Sequence, residues 1–187
     1  MVPSSRSNGA SLVAVALALA LGLGSCREIG IAADVVFPST VPGLPADEPW
    51  ESLPLRRWLT ESSLEPVAIS VCSSCAEPAV VGLFRARGAD VARVRTALAR
   101  PGSLLEPAGN QTRARIRPGR ARIATEAARE GGLPGAMMVA TGRRGREAAV
   151  YGLMSEHGDT ASVVVIVARS RAVARRLARG IAPRLGG

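Results

Sequence analysis

An α+β domain, one antiparallel sheet packed with two helices, is predicted by three observations. Short runs of alternating or apolar residues recur after Val67, in VAISVC (67–72), AVVGLFRA (79–86), GAMMVAT (135–141), REAAVYGLM (146–154) and TASVVVIVA (160–168). Glycine-rich turns, TGRRGR and SEHGDT, separate the last three, and connections this short force successive strands to pair antiparallel. Only two later stretches carry apolar residues at helical spacing.

Each element has a local reason. ADVARVRTALARPG (89–102) places Val91, Val94 and Leu98 on one helical face, with Asp90 near the start and Pro101-Gly102 as the stop. The closing helix runs from Ser170, a good cap, to about Ala182, with Val173, Leu177 and Ile181 as its apolar stripe. TRARIR (112–117) and RARIAT (120–125) alternate strictly and read as two more strands around Pro118-Gly119. PLRRWLTESSL (54–64) reads as a short helix that docks Leu55, Trp58 and Leu59 on the domain. The element order faintly resembles that of PsbP-like domains, a sandwich of the same class, though no motif carries that likeness further.

Composition narrows the chemistry. All 24 basic residues among the 187 are Arg, the net charge is +9 and the pI is about 11.3. A GC-rich bacterial genome accounts for part of the excess, because Lys, Asn, Phe and Tyr are scarce together. Without lysine, Schiff bases, Ser–Lys dyads and a P-loop lysine are excluded. From Val67 onward 20 Arg stand against 8 acids, whereas residues 27–66 hold 3 Arg and 7 acids.

The N-terminus supplies an address. Leu12 to Gly24 is a run of 13 uncharged residues. As a helix it spans about 20 Å, short of the roughly 30 Å hydrocarbon core of a bilayer, which suits a signal h-region over a membrane anchor. The run closes in Leu23-Gly24-Ser25-Cys26. This tetrad resembles the lipobox of bacterial lipoproteins, an aliphatic residue and two small ones before a cysteine. That resemblance implies cleavage before Cys26, a diacylglyceryl group on its sulfur and anchoring in the lipid bilayer on the exported side. In a host with two membranes, Arg27 after the cysteine favours the outer membrane, facing the periplasm. The expected organisation is a signal peptide (1–25), a lipidated Cys26 with a Pro-rich tether (26–53), and one globular domain (54–187). Six of the 13 prolines lie between Arg27 and Pro66 and favour extended chain.

Candidate site residues are few. Cys72-Ser-Ser-Cys75 lacks the following His of a haem site, a second ligand pair for zinc, and the helix start that activates a redox thiol. A structural disulfide pinning the turn between the first two strands is expected, with a thiol–disulfide redox protein as the alternative. His157, the sole histidine, lies in a polar hairpin turn with no nucleophile evident in sequence beside it. No catalytic set, metal site or cofactor motif is found, so the expectation is a binding or structural module and not an enzyme. In TRARIRPGRARIAT, alternation puts Arg113, Arg115 and Arg117 on one face, and a tight Pro-Gly loop would set Arg120 and Arg122 opposite them. Like charges facing each other call for a compensating anion, and guanidinium suits phosphate. Anionic envelope polymers or lipid head groups are the partners expected at that surface. For an exported chain, nucleic acid is not expected.

Overall fold

The alternating segments assemble into one seven-stranded antiparallel sheet with a helix on each face. The structure is a computed structural model, and it describes residues 38–55, 64–105, 121–142 and 145–186. In chain order the elements are β1 (Glu51–Ser52), β2 (Glu65–Cys72), β3 (Ala79–Arg87), α1 (Ala89–Ala99), a 3-10 turn (Pro101–Leu105), β4 (Ala121–Glu130), β5 (Leu133–Gly142), β6 (Glu147–His157), β7 (Thr160–Ala168) and α2 (Arg171–Leu185). The strand order is β1-β2-β3-β7-β6-β5-β4, all neighbours antiparallel. The chain crosses from β3 to the far edge and returns by hairpins, so the last strand, β7, sits in the middle. TASVVVIVA suits that place because its apolar side chains pack on both faces, Val164 and Ile166 under α2 and Ala161 and Val163 under α1.

β4 extends further than the sequence suggests, to Glu130. Gly131 and Gly132, at φ 57° and 84°, form the two-residue turn into β5. Positive φ at both positions matches the right-handed twist of the paired strands, which lets the hairpin run on through EAARE. The expected strand at 112–117 and the Pro118-Gly119 turn lie outside the described residues. So do residues 56–63 of the expected short helix, and its first apolar residue, Leu55, makes a β-bridge instead.

α2 covers one face of the sheet. Its stripe of Val173, Leu177, Ile181 and Leu185 packs on Val81, Ile166, Tyr151 and Leu153 in the larger core. Ser170 caps the helix by accepting from Val173 N at 3.3 Å. The helix passes the expected end at Ala182 and runs through Pro183, with buried Leu185 holding the last turn. α1 covers only part of the other face, through Val91 and Leu98 against Phe84, Met154 and Val163. Gly152 admits it closely: a Cβ there would lie 2.9 Å from Leu98 Cδ2. Beyond α1 the cross-strand row Val71, Val80, Val167, Val150 and Met138 is half-buried.

The Pro-rich segment differs from a free tether over its described part. Val41 is 1% exposed and belongs to the core, and its N–H donates to the buried Ser70 Oγ at 2.9 Å. Leu44 and Trp50 pack on the same core, and Glu51–Ser52 pair with β2 as the edge strand. Leu53 N donates to Ile69 O at 2.8 Å. Prolines prevent a helix but leave an extended arm free to pair at a sheet edge. The packed body therefore begins by Val41, ahead of the boundary expected at Pro54.

Candidate functional site

Cys72 ends β2 with no exposure and is bonded to Cys75, Cα–Cα 5.5 Å. Residues 73–77 form bends, so Cys75 does not start a helix. Glu48 Oε2 lies 3.4 Å from Cys75 Sγ, and the other oxygen of that carboxylate accepts from Arg176 Nη1 at 2.7 Å. A redox cysteine needs a positive environment that favours its thiolate. Here a carboxylate faces one sulfur and the other is buried, and the bridge closes the start of the β2–β3 connection beside the N-terminal arm.

Among the arginines singled out in the sequence, Arg122 is described: it is exposed on β4, paired in register with Thr141. Arg113, Arg115, Arg117 and Arg120 lie outside the described residues, as do Cys26 and the whole leader. Among the described residues, seven arginines reach a carboxylate within 4 Å: Arg85, Arg87, Arg93, Arg95 and, on α2, Arg175, Arg176 and Arg179. Others, including Arg122, Arg169, Arg171 and Arg184, are exposed and make no such pair. Among the described residues no three His, Cys, Asp or Glu side chains come together as a metal-binding group, and no helix is long and apolar enough to cross a membrane.

His157 has a neighbour that the sequence reading missed. Its Nε2 lies 3.2 Å from Ser155 Oγ and 3.3 Å from the Leu185 carbonyl at the end of α2. Residues two apart on a strand share a face, which is why the two side chains meet. With its proton on Nε2 the ring donates to Leu185 O, and that nitrogen then has no lone pair with which to activate Ser155. A helix C-terminus also repels a developing oxyanion. The arrangement ties Ser155 and His157 of β6 to the end of α2.

A polar groove of about 520 Å³ lies between β4 and α2. Two ion pairs cross it: Arg175 Nη2 donates to Glu126 Oε1 at 2.9 Å, and Arg179 Nε approaches Glu130 Oε1 at 3.9 Å. Arg129 lies on its rim and Tyr151 lines its floor. Tyr151 reaches there because Gly135 on the intervening strand has no side chain; a Cβ at 135 would lie 3.2 Å from Tyr151 Cε1. Burial pushes the Tyr151 hydroxyl above its ordinary range, Glu130 adds to this, and Arg175 opposes it. The signals available in sequence were the matched four-residue spacing of Glu126/Glu130 and Arg175/Arg179, and one tyrosine in an apolar strand. Neither says that β4 and α2 meet.

No protein-family model matches the chain. No characterised protein matches its sequence. Among solved structures it is similar to LpqN, involved in cell envelope biogenesis of Mycobacterium tuberculosis, with TM-score 0.36 and 14% identity over 81% of this chain and 78% of that one. A likeness this loose assigns no activity to the chain.

Proposed function

We propose that this chain is a lipoprotein of the bacterial envelope, cleaved before Cys26, anchored through lipid on that cysteine, and serving as a binding or structural module. The observation that carries the reading is Leu23-Gly24-Ser25-Cys26 at the end of an uncharged run of h-region length. A single acyl chain holds a protein weakly and two or more hold it firmly, which gives the lipidated cysteine its use. The Cys72–Cys75 disulfide fits an oxidising, exported location. Its carboxylate neighbour and buried sulfur favour a structural role over thiol–disulfide exchange. The α+β architecture is compatible with the finer reading of a PsbP-like domain. In a host with two membranes, Arg27 directs the anchor to the outer membrane, facing the periplasm.

The arginine-rich stretch of Arg113, Arg115, Arg117, Arg120 and Arg122 is the surface assigned to anionic head groups or envelope polymers. Two measurements test the proposal. Cys26→Ala should abolish labelling by a lipid precursor and accumulate unprocessed chain; retained label overturns the anchor. Binding to anionic vesicles over neutral ones should fall with salt and with Arg115, Arg117, Arg120 and Arg122 changed to Gln. Equal binding by the variant removes the role given to that stretch.

A further inference from the structure

We propose that the groove between β4 and α2 is a binding site for a neutral, hydroxyl-rich ligand, an oligosaccharide. Tyr151 is 1% exposed, yet it lines the groove, and its hydroxyl has no hydrogen-bond partner among the described residues. A phenol hydroxyl held against an apolar core ordinarily finds a partner. The hydroxyl is not enclosed but meets solvent in the groove, where a ligand hydroxyl replaces water as its partner. The ring's position is built into the fold: it stands in the cross-strand row Ile166, Tyr151, Met137, Glu126 and leans over the bare backbone of Gly135.

The charges of the walls select the ligand class. Arg175 and Arg179 are already matched by Glu126 and Glu130. An anion entering between them meets two carboxylates, and a cation meets two guanidinium groups. A sugar hydroxyl avoids both penalties because it accepts from arginine and donates to glutamate. The groups also have capacity left. A guanidinium carries five N–H donors and a carboxylate about four acceptor positions, far more than one ion pair consumes.

The proposal is independent of the lipid anchor: labelling at Cys26 and glycan binding are separate readouts, and either can fail alone. The test uses the purified full chain on an array of neutral gluco-, manno-, galacto- and N-acetylglucosamine oligosaccharides, printed beside uronate- and phosphate-bearing counterparts. Neutral oligosaccharides should be retained, and the bound ones should shift the absorbance of the single tyrosine. Tyr151→Phe and Arg179→Gln should each weaken binding at least tenfold, with the melting temperature of Tyr151→Phe unchanged. No retention of neutral glycans overturns the proposal. So does equal binding by both variants, or a preference for the anionic members.

Discussion

Gly43 and Gly180 meet backbone to backbone where the N-terminal arm crosses α2. A Cβ on Gly180 would lie 2.7 Å from Gly43 O, and one on Gly43 would lie 2.5 Å from Gly180 O and 2.8 Å from Ile181 Cα. No real Cβ sits so close to a backbone atom, so a glycine is required on each side. A glycine inside a helix costs about 1 kcal/mol against alanine. That cost is offset here by the burial of Val41 and the pairing of the arm.

Gly180→Ala should therefore destabilise the protein, against its helix propensity. Overpacking costs about 1–3 kcal/mol, more than the propensity gain, and Gly43→Ala adds strain because Gly43 sits at φ 85°. Chemical denaturation should rank the stabilities wild type, Gly180→Ala, Gly43→Ala, in falling order. A Gly180→Ala protein more stable than wild type would show that the arm does not hold to α2.

The disulfide closes a short loop. On a chain-entropy estimate it contributes about 2 kcal/mol. Reduction should lower the melting temperature by roughly 5 °C without unfolding the domain. Mass spectrometry should find both thiols blocked to alkylation until reduction. Rapid exchange with a dithiol oxidoreductase would instead restore the redox reading.

Tyr151 is the only tyrosine, so phenolate absorbance reads one group. Its hydroxyl should titrate above the ordinary value of 10.0 in the folded protein. Above that ordinary value the unfolded chain loses the proton while the folded one keeps it, so stability falls as pH rises through the folded value. Glu130→Gln should move the titration back toward the ordinary value. An unshifted titration in the folded wild type would contradict the buried position of the ring.

Arg95 spans from α1 to β6 and holds Glu156 with both carboxylate oxygens, at 2.8 and 2.5 Å. The hydrogen bond from Arg95 lowers the Glu156 carboxyl below its ordinary 4.5. A depressed carboxyl stabilises the fold above its unfolded value, and the contribution is lost as pH falls through the folded one. Because the pair is exposed, the stability effect should be small. The clear readout is the Glu156 carboxyl resonance, which should titrate low in wild type and return to the ordinary range in Arg95→Gln.

The sequence by itself carried the resemblance behind the proposed address, and it determined the periodic elements. A lipobox resemblance is a local property of four residues, and the apolar run in TASVVVIVA or the stripe of Val173, Leu177 and Ile181 reflects local geometry. It also placed the disulfide, since a spacing of three between Cys72 and Cys75 leaves little choice of partner in an oxidised chain. Only the tertiary structure decided that the Pro-rich arm docks, because prolines report what an extended segment cannot do and not what it lies against. It also decided that β7 is central, since the strand order depends on where a crossover returns. Finally, it brought Glu126 and Glu130 of β4 over Tyr151 of β6 and against Arg175 and Arg179 of α2. Those contacts join residues up to 49 positions apart, and no local pattern encodes them, because the packing of a strand against a helix is set by the whole core between them.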